Sequence, residues 1–87
     1  MYDIEVRPRL DAKFRRLARK DRNLMSFIGK KIDGIRLDPH RFKNLRNPMQ
    51  HMKRVHIDSS FVLIFSVDEE RRVVILEDFD HHDRIYR

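Results

Sequence analysis

The residues with chemical potential in this chain are His56, His82 and Tyr86, with Lys53, Arg54 and Arg84 close to them in sequence. Imidazole both accepts and releases a proton near neutral pH. A phenol ringed by cations can serve as an acid, and guanidinium groups stabilise charge that develops on phosphorus. Together these are the parts needed to cut RNA through its own 2′-hydroxyl. A base removes the hydroxyl proton, an acid protonates the departing 5′-oxygen, and cations hold the pentavalent phosphorus. Each proton carrier is typically worth about 10²- to 10⁴-fold in rate. Residue type alone leaves open which imidazole is base and which is acid. Lys43 and Arg46, upstream, join Lys53 and Arg84 as candidates for phosphate contact.

Plainer roles compete for the same residues. His56 can pair on the surface with Asp58, and Tyr86 can be an anchoring aromatic. His81 is expected to be structural, and His40 and His51 fall in a polar loop with no specific task. The run Asp80-His81-His82-Asp83 invites a metal. However, neighbouring strand residues point to opposite faces, and no other pair has a recognised ligand spacing. Neither a metal nor another cofactor is expected.

The elements that must position these groups follow from periodicity. Tyr2, Ile4 and Val6 alternate with acidic residues as in a half-buried strand that Pro8 ends. Leu10, Phe14, Leu17 and Ala18 then form one stripe of a helix from Arg9. Asp21 is a plausible cap for a second helix, apolar from Leu24 to Ile35 and stopped near Leu37 by Asp38-Pro39. Gly29 and Gly34 within it suggest close packing. Residues 39–51 have no sustained period and read as a loop. Three strands are expected at 53–57, 61–67 and 72–78. The middle one, apolar on both faces, should be central. Strand, helical hairpin and a three-stranded antiparallel meander make a two-layer α+β domain spanning residues 1–87. If both helices cover one face of an antiparallel sheet, the Arg54/His56 side of its first meander strand stays open. Register alone does not decide whether His81 or His82 joins it; His82 is the preferred partner.

Composition sets the class of partner. The chain has 87 residues, 39% of them charged, with a net charge of +6 and no cysteine. Disulfides, thiolate zinc sites and thiol nucleophiles are therefore excluded. Residues 1–54 hold 16 Lys+Arg against 6 Asp+Glu, and residues 55–87 hold 4 against 8. That asymmetry favours a polyanion met mainly by the helical half and the approach to the sheet, although a solvated basic face also fits it. The high charged content with only two glycines also fits heat tolerance. No apolar run reaches the roughly 20 residues needed to span a bilayer. The N-terminus does not read as a signal peptide. A cytoplasmic protein is expected.

Val55-His56-Ile57 ahead of Phe61-Val62-Leu63-Ile64-Phe65, with the ending Asp80-His81-His82-Asp83-Arg84-Ile85-Tyr86 some distance on, resembles the RelE toxins of type II toxin–antitoxin systems, and the YafQ-like branch in particular. The similarity runs over essentially the full length, because the order of elements is the same. It implies an endoribonuclease that cuts mRNA in the ribosomal A site and is silenced by an antitoxin. It also implies catalytic roles for His56 and His82, an aromatic role near Tyr86, and a functional position near Lys43. Two positions depart from the pattern. Ser60 stands where YafQ-like chains carry Asp, and Val62 where RelE proper carries an arginine. The alternatives are a ParE-like gyrase poison and a non-catalytic protein of the same fold that binds antitoxin or RNA.

Overall fold

The computed structural model describes residues 1–85. In chain order these form β1 (Asp3–Val6), α1 (Pro8–Lys20), α2 (Arg22–Leu37), a 3-10 turn (Pro39–Arg41), β2 (Lys53–Ile57), β3 (Phe61–Asp68) and β4 (Val73–His81). Pro8 opens α1 at a position where a missing N–H costs nothing. The α1 stripe buries Leu10 and Phe14 and leaves Arg9, Arg15, Arg16 and Arg19 exposed. Asp21 separates the helices, and its carboxylate accepts the Leu24 N–H at 3.0 Å. Asp21→Ala should cost about 1 kcal/mol through loss of that cap, read as a lower urea midpoint with an unchanged slope. Of the two helical glycines, only Gly34 sits in close quarters, its Cβ position 3.1 Å from the Arg41 guanidinium.

The strand order is β1-β4-β3-β2, with β2-β3-β4 an antiparallel meander. The sheet as a whole is mixed, because β1 runs parallel to β4, Ile4 opposite Val74. The meander is antiparallel as expected. The sequence leaves the direction of β1 open, because its partner lies some 70 residues away and local alternation does not report it. β4 also runs three residues further than expected, to His81.

Alternation sorts the side chains into two layers. Val55, Ile57, Leu63, Phe65, Val74, Leu76 and Phe79 join Leu10, Phe14, Leu24, Ile28 and Ile35 in the main core beneath the helices. On the other face Val62 and Ile64 are also buried, covered by Ile85 with Leu45, Met49 and Met52. The segment expected to be a plain loop therefore roofs part of the second face. It hangs on the edge of β2, where the Arg54 N–H donates to the Lys43 carbonyl at 3.3 Å and Asn44 bridges to Lys53.

Ion pairs and hydrogen bonds fasten the opposite end of the sheet. Glu69 accepts from the Tyr2 hydroxyl and lies 2.5 Å from His40 Nε2, giving a loop histidine an anchoring role that its sequence context did not suggest. Arg71 reaches Glu5 and Asp68, both at 2.8 Å. Hydrogen bonds from Arg71 hold Glu5 and Asp68 below the ordinary carboxylate range, and those from Tyr2 and His40 do the same for Glu69. A carboxylate whose folded pKa lies below its unfolded one contributes stability in full above the unfolded value, and loses it as pH falls through the folded value. Urea midpoints should therefore stay level from neutral pH to about 5, then drop through the carboxylate range. Arg71→Ala should flatten that drop.

Candidate active site

The face of β2 turned away from the helices carries Arg54 and His56, both exposed, while Val55 and Ile57 between them are buried. His56 lies opposite Val62 on β3, and Val62 opposite Asp80 on β4. This row crosses the sheet towards His82, which follows the end of β4. The His82 N–H donates to the Ser60 carbonyl at 2.7 Å, extending the ladder past the strand end. The His56 and His82 rings then stack with centroids 6.2 Å apart and planes inclined by 30°. Both histidines are exposed.

A β-bulge decides that meeting. Ile64 pairs with Asp78 but Phe65 pairs with Leu76, so Glu77 is an extra residue in β4. Val74 and Leu76 point into the main core, and unbroken alternation would send residues 78, 80 and 82 the same way. The added residue reverses the phase. Phe79 enters the core instead, and the Asp80/His82 phase turns to the open face. Glu77 is held in place by Ser66 Oγ, which donates at 2.6 Å, and by Arg7 Nε at 2.7 Å. Burial pushes the Glu77 carboxyl up, but the bonds from Arg7 and Ser66 outweigh it and leave its pKa lowered.

His81 takes the other direction, its ring edge-on to Phe61 at 5.6 Å, in keeping with a structural part. The competing pairing of His56 with Asp58 does not form. Among the described residues His56 makes no hydrogen bond or ion pair, and its ring faces His82.

Two adjoining clefts lie on the His56 side of the pair. One, of about 560 Å³, is lined by residues 43–49 and Arg54; the other, of about 380 Å³, by Arg41, Phe42, Lys43, Arg54, Val55 and His56. They share Lys43 and Arg54, and among the described residues no carboxylate lines either. Arg41, Lys43, Arg46 and Arg54 thus make a continuous cationic trough that ends at His56, suited to a polyanion's phosphates. Arg41 was missed as a site candidate. Its only sequence signal was one more positive charge in a loop, and the fold brings it to the trough above the Phe42 ring at 4.7 Å.

Other candidates fall elsewhere. Lys53 shares the phase of Val55 and Ile57, and its ammonium donates to the Phe42 carbonyl at 3.1 Å and to Asn44 Oδ1 at 2.6 Å. It secures the loop and does not line the trough. Arg84 lies 3.8 Å from Asp80 and lines neither cleft. Tyr86 lies outside the described residues.

Comparison with known proteins places this arrangement. No family model matches the chain. An uncharacterized protein of Methanosarcina mazei is 56% identical over 86 residues, covering 99% of this chain and all of that one. A Methanocaldococcus jannaschii protein that bears the toxin name RelE4 is 51% identical, covering all of this chain and 93% of its own length. A chain of the Escherichia coli RelBE toxin–antitoxin complex superposes with a TM-score of 0.79 at 20% identity, over 97% of this chain and all of that one. At 20% identity that likeness concerns the fold; the RelE4-named relative, 51% identical over the whole of this chain, carries the assignment. With its strand, helical hairpin and meander, the chain belongs to the RelE toxin family.

Proposed function

We propose that the chain is the toxin of a type II toxin–antitoxin pair and an endoribonuclease that cleaves mRNA in the ribosomal A site. The observation that carries this reading is the pairing of His56 and His82 on an open sheet face, at the end of a cationic trough. A proton carrier must come within about 2.6–3.2 Å of its oxygen. Two rings 6.2 Å apart can therefore address the 2′-oxygen and the 5′-oxygen of one phosphodiester. One imidazole takes the 2′-hydroxyl proton as the 2′-oxygen bonds to phosphorus. The other donates a proton to the 5′-oxygen as its bond to phosphorus breaks. The products are a 2′,3′-cyclic phosphate and a 5′-hydroxyl, with no redox change and no metal required by the balance. Arg54 faces the developing charge, Lys43 and Arg46 hold flanking phosphates, and Tyr86 is a candidate auxiliary acid. The ribosome supplies substrate alignment that a shallow trough lacks. An antitoxin is the expected protein partner and the cytoplasm the expected location; the likeness to the RelBE toxin fold supports that partner.

Induction in growing cells with mapping of mRNA 5′ ends tests the reading. New breaks on translated messages, absent with His82→Ala, are the expected result. Growth arrest with DNA damage and intact mRNA would mark a gyrase poison, and absence of toxicity a non-catalytic binding protein.

A further inference from the structure

The turn after β4 places a carboxylate against one of the paired imidazoles. The Asp83 N–H donates to His81 Nδ1 at 3.3 Å, and the His81 ring is itself packed edge-on against Phe61. This closes residues 81–83 into a tight unit and brings the Asp83 carboxylate back over the histidines. Its Oδ1 lies 3.4 Å from His82 Nδ1, and its Oδ2 3.6 Å from His81 Nδ1. The two imidazoles differ in what this means. His81 Nδ1 already accepts the Asp83 N–H, so in the neutral ring that nitrogen carries no proton. His82 Nδ1 is the nitrogen that can donate to the carboxylate.

We propose that Asp83 is a positioning residue for His82, holding its ring with the proton on Nδ1 so that Nε2 is the nitrogen that exchanges protons with RNA. The proposal deepens the nuclease reading above and rests on it for the role of His82. A carboxylate at Nδ1 fixes both tautomer and ring direction, because only the protonated nitrogen can face it favourably. His81 takes part at one remove, as the acceptor that sets the turn. His56 makes no comparable contact with a carboxylate among the described residues, so the two imidazoles are held differently and are not interchangeable.

The test compares wild type, Asp83→Ala, Asp83→Asn and His82→Ala by two readouts. The first is the ¹⁵N signature of the His82 ring at a pH where the imidazoles are neutral. The second is kcat and KM for cleavage of mRNA on programmed ribosomes. Asp83 is mostly exposed, so its replacement leaves the core intact. In Asp83→Ala the ring should shift from the Nδ1–H form towards Nε2–H, and kcat should fall about tenfold with KM little changed. Asp83→Asn, which keeps an acceptor oxygen, should recover part of both. A His82 ring that does not move in Asp83→Ala overturns the proposal, even if His82→Ala is inactive and the nuclease reading stands. A ring that moves as expected in a wild type that cuts no RNA leaves Asp83 in its role and removes the nuclease reading instead.

Discussion

His82→Ala should lower the rate of mRNA cleavage on ribosomes by about 10²- to 10⁴-fold, and His56→Ala by a similar factor. Each change removes one of two proton carriers that lie 6.2 Å apart on an open face. Neither ring belongs to either apolar core, so circular dichroism and urea midpoints should stay close to wild type. The double variant should be little worse than either single one, because two groups that act on one phosphodiester fail as a unit. His40→Ala is the control. It removes an imidazole at the far end of the sheet, beside Tyr2 and Glu69, and should leave the cleavage rate unchanged. Equal activity of wild type and His82→Ala would remove the catalytic assignment and leave only a shared fold.

Phe65→Ala should produce the largest loss of stability, about 3–5 kcal/mol. Phe65 is fully buried at the middle of β3, within the main core and opposite the buried Leu76 of β4. Truncation removes its apolar transfer energy and leaves a cavity that a four-stranded sheet under two helices can close only in part. An 87-residue domain has a total of roughly 4–13 kcal/mol to lose, so the variant should be partly unfolded at growth temperature. The function is tied to the same residue. The Phe42 ring packs edge-on to Phe65 at 5.7 Å, and Phe42 begins the loop that carries Lys43 and Arg46. Loss of Phe65 should thus loosen the trough as well as the core. Urea denaturation measures the first effect and the KM for ribosomal mRNA the second. A midpoint within about 1 kcal/mol of wild type would show that the site collapses far better than its burial suggests.

The sequence by itself determined whatever depends on neighbours in the chain. The helical hairpin was legible because the stripe from Leu10 to Ala18 and the Asp21 cap are set within a turn or two. Likewise β2 was legible, and with it the common face of Arg54 and His56, because strand side chains repeat every two residues. The same period already separated Lys53 from that face, so grouping it with Arg54 went against the chain's own alternation. Tertiary structure alone decided the rest. The parallel pairing of β1 with β4, and the roofing of Val62 and Ile64 by Leu45, Met49 and Met52, join segments whose local patterns do not refer to each other. The direction of His82 turned on a single extra residue, Glu77, whose side chain is held by Ser66 and Arg7 from other strands or their ends. One inserted residue reverses the phase of everything after it, and only the pairing of β3 with β4 reveals that it is there.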